Sequence, residues 1–192
     1  MRDLDVRLAL RRKVLADHVR DQDTLVIDEL GLAHGAARVD LAVVNGWLHG
    51  FEIKSDADTF RRLPSQVEAY GTVLDKVTLV VGGRHAHSAG SHIPEWWGIK
   101  VATAGPRGAI HFQEQRAPRL NLTVDALKVA GLLWRDEAVS ILLKHHVPGV
   151  RSKNRQQLGC LLAEHLPLAT LRQEVREALK ARVGWRSDTP SA

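Results

Sequence analysis

Apolar positions recur at Leu4, Leu8, Val14, Leu15 and Val19 among many charges, an imperfect 3.6-residue stripe that predicts one amphipathic helix over residues 4–20. Three short β-rich stretches follow, Thr24–Leu30, Arg38–Val44 and Trp47–Lys54, and Asn45-Gly46 between the last two is a hairpin signal. Helical spacing returns through Leu63, Gln66, Val67, Tyr70 and Leu74. Pro64 fits that helix only in its first turn, with Ser65 and Glu68 as a capping box just after it. Lys76–Val81, Gly98–Ala104 and Ala109–Gln113 read as further strands, the last two around a Gly105-Pro106-Arg107-Gly108 turn. From Thr123 to Val183 the pattern is helical, broken at Val147-Pro148-Gly149 and Leu166-Pro167. The order predicts an α/β fold, a mixed sheet flanked by helices, with residues 1–120 as the core and 121–192 as a helical C-terminal extension packed on it.

Turn parity decides which side chains meet. A two-residue Asn45-Gly46 turn would pair Val44 with Trp47 and send Asp40 to the face opposite Glu52. A three-residue loop ending in Gly46, with the glycine as a left-handed bulge residue, puts Arg38 and Asp40 on the face of Glu52 and Lys54. Val39, Leu41 and Val43 then share the other, core face with Trp47, Phe51 and Ile53, and that register is the expected one.

Composition narrows the class. With 192 residues, 44% hydrophobic and 26% charged, the chain has the make-up of one globular domain. The single cysteine, Cys160, excludes an internal disulfide and a cysteine zinc cluster, which points to an intracellular, cytoplasmic protein. The first residues lack the apolar stretch of a signal peptide, and no run approaches the ~18 apolar residues of a membrane span. The net charge of +5 resides in residues 144–192, where nine basic residues face four acids. A polyanionic partner is therefore expected there, with Arg151, Lys153 and Arg155 as contacts.

The chemistry-bearing stretch is Glu29, Asp40 and Glu52-Ile53-Lys54, followed by Gln66 and Tyr70. Carboxylates converging on one sheet face repel unless a cation sits between them, which predicts a site for Mg²⁺ or Mn²⁺. Glu52-x-Lys54 alone is a common triplet. The second pair is more selective: with seven glutamines and one tyrosine in 192 positions, a glutamine four before the tyrosine arises by chance at roughly 0.04. That spacing places Gln66 and Tyr70 on one helix face. Arg61 and Arg62, close behind the strand, are candidate phosphate contacts beside Arg38.

In this order the residues resemble the PD-(D/E)XK nuclease superfamily, in its branch with a Gln-x-x-x-Tyr motif. The segments Arg38-Val-Asp-Leu-Ala, Gly50-Phe-Glu-Ile-Lys-Ser and Leu133-Trp-Arg-Asp-Glu resemble a small bacterial family within it. The resemblance implies a restriction-endonuclease-like fold and a metal-dependent enzyme that hydrolyses DNA. Asp40, Glu52 and the Ile53 carbonyl would hold Mg²⁺ or Mn²⁺, Lys54 would be the catalytic lysine, and Glu29, Gln66 and Tyr70 would complete the site. Val39 stands where the family name places a proline. A homodimer, favoured by symmetry if both strands are cut, or a protein partner is expected beside DNA; the alternatives are a ribonuclease and a non-catalytic nucleic-acid-binding or adaptor protein of the same fold.

Other signals have plainer readings. His85, His87, His92, His145 and His146 fit no familiar zinc spacing. Residues 154–165 and 171–183 suggest a helix-turn-helix with a Thr170–Gln173 capping box, but their leucine stripes read as packing. Trp96-Trp97 is expected in the core, and Asp58 as a helix N-cap.

Overall fold

The computed structural model describes residues 2–32 and 35–182. The predicted first helix is two, α1 (Asp3–Lys13) and α2 (Ala16–Arg20), interrupted where the stripe is least regular. Then come β1 (Leu25–Leu32), β2 (Ala37–Val44), β3 (Leu48–Lys54), α3 (Leu63–Gly71), β4 (Lys76–Gly82), β5 (Gly98–Ala104) and β6 (Ile110–Arg116). Helices α4 (Ala126–Ala130), α5 (Arg135–Lys144), α6 (Arg155–His165) and α7 (Leu168–Ala181) follow among the described residues, so the mixed α/β class with a helical C-terminal part is as expected.

The sheet runs β1-β2-β3-β4-β5-β6 in spatial order. Strands β1 to β3 are antiparallel; β3 to β5 are parallel, reached through the α3 crossover and the 83–97 connection; β6 turns back antiparallel. The β2–β3 ladder runs from Leu41–Phe51 to Val44–Leu48, so the loop is the odd Asn45-Gly46-Trp47. Continuing the ladder by one residue brings Asp40 level with Glu52. The odd loop therefore holds, but its limits differ from expectation, and Gly46 is not the left-handed bulge residue.

Both faces of the sheet are covered. Leu41, Val43, Phe51 and Ile53 pack with Val6, Leu10 and Leu15 under α1. The larger core lies on the other face, where Ala42, Val44, Leu48, Leu74 and Leu79 meet α3 and the C-terminal helices. Two residues depart from the predicted core face. Val39 packs in the larger core, and Trp47 is 40% exposed with the Lys76 ammonium over its ring. The first turn of α3 holds Pro64, but its N-cap is Arg62 and the Ser65 hydroxyl donates to the Arg62 carbonyl, so the expected Ser65–Glu68 box does not form. Asp58 instead accepts from the backbone and hydroxyl of Ser55.

The helical part is tied to the sheet through a buried acid. Asp75 accepts from the Leu48 N–H at 2.7 Å, and Arg172 and Arg176 of α7 lie 3.1 and 3.7 Å from its carboxylate. Helix α7 buries Leu171, Val175 and Leu179 on one stripe, while α6 buries Leu158 and Leu162, so the leucines pack as expected. The N-cap of α7 is Pro167, and Gln173 donates to Glu177, so no Thr170–Gln173 box exists.

Candidate functional site

A cleft of ≈ 650 Å³ opens beside α3, bordered by Asp3, Glu29, Arg38, Asp40, Glu52 and Lys54 among others. Four elements build it. Strand β3 supplies Glu52 and Lys54, two positions apart and both almost fully buried. Helix α3 supplies Gln66 and Tyr70, one turn apart on one face. Strand β2 supplies Arg38 and Asp40, and β1 supplies Glu29.

Glu29 sits at an irregularity. The β1–β2 pairing runs through Asp28–Leu41 and Leu30–Val39 on either side of it, and Glu29 has φ 55°, the left-handed region that non-glycine residues avoid. Its carboxylate meets the guanidinium groups of Arg38 at 3.0 Å and Arg7 at 3.5 Å.

Glu52 is bonded on both oxygens. Lys54 Nζ and Gln66 Nε2 donate to Oε1, the latter at 2.6 Å, and the Tyr70 hydroxyl lies 2.6 Å from Oε2. The same hydroxyl lies 2.6 Å from the Arg38 carbonyl and accepts from Gln66 Nε2 at 3.3 Å. Burial, then the Glu52 charge, raises the Tyr70 pKa far above that of a free phenol, so it stays a donor. Trp97 stacks behind it at 5.8 Å, fully buried as expected.

Asp40 accepts from the Ile53 N–H at 2.7 Å and from Arg7 at 3.3 Å. Burial is the main cause of a pKa raised to about 7, and the neighbouring Glu52 charge adds to it, against the lowering by Ile53 N–H and Arg7. The structure thus brings Glu29, Asp40, Glu52, Lys54, Gln66 and Tyr70 to one cleft. It adds Arg7 of α1, which the strand motifs do not reveal; the only hint in the sequence is its helical i,i+4 spacing from Asp3, an ion pair at 3.3 Å.

The donors bear on the metal expected at Asp40, Glu52 and the Ile53 carbonyl. The carboxylate oxygens of both acids are engaged by the chain's own N–H, ammonium, guanidinium, amide and phenol groups. Among the described residues no group of three or more His, Cys, Asp or Glu side chains is placed to hold a metal ion. A Mg²⁺ or Mn²⁺ ion would compete with these donors for the same carboxylate oxygens.

The expected nucleic-acid contacts divide. Arg61 and Arg62 are exposed and border a second hollow of ≈ 440 Å³ that shares Lys54, Asp58 and Arg62 with the cleft. Arg38 lies on the same side. In the C-terminal part Arg155 donates to the Leu133 and Gly131 carbonyls at 2.9 and 2.7 Å, a bracket that joins α6 to the α4–α5 turn. Arg151 is exposed and Lys153 half-buried, away from the cleft lining. The basic surplus of this segment is partly structural, since Lys144, Arg172, Arg176 and Arg182 pair with Glu174, Asp75 and Glu137.

Fold and site together define a mixed α/β protein whose cleft is floored by an ion-paired network of carboxylates and cations. The model of the family described as Bacteriophage P4 protein cII matches residues 6–189, so the chain belongs to that family. It is 27% identical over 184 residues to Protein cII of Enterobacteria phage P4, an alignment covering 95% of this chain and 68% of that protein. No solved structure matches. Family membership overturns the resemblance to PD-(D/E)XK nucleases. The reading as a DNA-hydrolysing or RNA-hydrolysing enzyme falls with it.

Among the described residues no helix is long and apolar enough to cross a membrane.

Proposed function

We propose that this protein binds DNA through the arginine lip of the cleft, without hydrolysing it. The observation that carries this reading is the placement of Arg38, Arg61 and Arg62 along two joined hollows whose floor acids are already bonded within the protein. A bare acidic floor would repel phosphate; the pairing of Asp40 with Arg7 and of Glu52 with Lys54 offsets two of its charges. Arg61 and Arg62 are exposed, so their guanidinium groups reach a strand at little desolvation cost and supply the electrostatic, sequence-independent part of binding. Arg38, already paired with Glu29, fixes the far end of the lip.

The test is fluorescence anisotropy of labelled single-stranded and duplex DNA across a salt series, comparing the unaltered chain with the double variant Arg61→Ala/Arg62→Ala. The variant should bind at least about tenfold more weakly, and the slope of log Kd against log salt should fall by roughly two. Equal affinity and slope for the two proteins, or no binding of either DNA by the unaltered chain at low salt, would sink the proposal.

A further inference from the structure

The charge cluster of the cleft carries an inference independent of DNA. Four carboxylates, Asp3, Glu29, Asp40 and Glu52, surround three cationic side chains, Arg7, Arg38 and Lys54. Their distances are unequal. Lys54 sits hard against Glu52 with both groups buried, whereas Arg7 stands 3.3–3.5 Å from three acids at once. Charge-assisted bonds are shortest at about 2.7–2.9 Å, so Arg7 is shared among its acids and optimal for none. Its Nε is buried with no hydrogen-bond partner, as is Gln66 Oε1 beside Glu52. The guanidinium is thus held by three long hydrogen bonds, each to a different carboxylate.

We infer that Lys54 and Arg7 are built-in counter-cations which occupy the place of a divalent ion in the Asp40–Glu52 pair, so that the cleft excludes such ions until one of the two is neutralised. A divalent ion entering the intact cluster meets two positive charges within a few ångströms of the oxygens it needs, in a partly desolvated setting where each repulsion is worth several-fold more than in water. It must also break the Tyr70 and Gln66 bonds to Glu52 or accept fewer ligands. Removing the Lys54 charge leaves the Gln66 amide as the remaining donor to Glu52 Oε1 and leaves the acids with an uncompensated charge, which is the condition for a hard-cation site.

Mn²⁺ is the probe, its binding followed by electron paramagnetic resonance of the free ion and by calorimetry. The unaltered chain should show no saturable site below the millimolar range. Lys54→Met should gain one Mn²⁺ per chain at least tenfold tighter than that, and Lys54→Met/Asp40→Asn should lose it. Because Lys54 is buried, Arg7→Gln serves beside it: its side chain reaches solvent, and it should also tighten Mn²⁺, while Arg7→Lys, which keeps the charge, should not. Two results would overturn the inference: a saturable submillimolar Mn²⁺ site in the unaltered chain that Asp40→Asn abolishes, or variants that fold, as judged by their circular dichroism and melting, and bind no better than the parent.

Discussion

At the scale of single residues the cleft is shaped by backbone strain as much as by charge. Glu29 holds φ 55° inside β1, and conformations of this kind cost of order 1–3 kcal/mol. The strain turns a carboxylate toward Arg7 and Arg38, and these contacts are half-exposed and therefore individually weak. Glycine and valine at this position lose the same contacts, but only glycine accepts the left-handed backbone without penalty. Glu29→Gly should therefore be more stable than Glu29→Val by about 1–3 kcal/mol in urea unfolding. Equal stabilities would show that the backbone relaxes at no cost. The sequence places Glu29 among the site acids, but its strained backbone was not legible: alternation and propensity describe regular strands, and nothing local marks a residue whose conformation is set by partners on β2 and α1.

At the scale of elements, the β1–β3 meander was the most legible part, because turn parity and apolar alternation constrain it twice over. Helix α3 was legible through Gln66 and Tyr70. Its cap was not, since Arg62 and Pro64 start the helix where Ser65 and Glu68 suggested a box. Arg7 escaped because which face of α1 meets the cleft depends on packing of Val6 and Leu10 against the sheet, a tertiary fact. The β3–β4 pair carries a pH dependence of its own. His49 lies 2.9 Å from the Thr78 hydroxyl and stacks on Phe51 at 4.2 Å. Burial, then the nearby Lys76 charge, pushes its pKa down to about 3 from 6.5. The unfolded chain therefore takes up the proton first, and this contribution to stability is complete above pH 6.5 and lost as the pH falls toward 3. Asp40, raised to about 7, acts with the opposite sign between about 4 and 7, because its charged form is the one disfavoured in the fold. The two offset in the parent, so the difference between variants isolates each. The stability of His49→Gln minus that of the parent should rise as the pH falls from 6.5, by at most about 1.4 kcal/mol per pH unit. A difference that stays flat over this range would place His49 in contact with solvent.

At the scale of the whole molecule the question is whether the sheet and the C-terminal helices unfold together. The sequence suggested a core over 1–120 with an extension packed on it, and the strongest tie between the two was invisible there, because Asp75 follows a helix and precedes a strand like any loop acid. In the fold it is 1% exposed and holds three elements: it accepts from Leu48 at the start of β3, faces Arg172 and Arg176 of α7, and its carbonyl accepts from Asn121 ahead of α4 at 2.8 Å. Asn121 in turn donates to the Gly71 and Leu74 carbonyls at the end of α3. An acid so placed is compensated only by its two arginines, and removing one side of a buried ion pair costs about 3–5 kcal/mol, more than replacing the pair by apolar groups. Asp75→Asn keeps the shape and loses the charge, leaving two largely buried guanidinium groups opposite a neutral amide. It should lower stability by about 3 kcal/mol, and it should do so by loosening α7 first. In the parent, far-ultraviolet circular dichroism, which weights the helices, and the near-ultraviolet signal of a Trp134→Phe background, which removes the tryptophan that caps α5, should melt together; in Asp75→Asn the helical signal should melt at lower temperature. Coincident melts in the variant would mean that the leucine stripe of Leu171, Val175 and Leu179 suffices to hold α7, and that the ion pairs at Asp75 serve to fix its register.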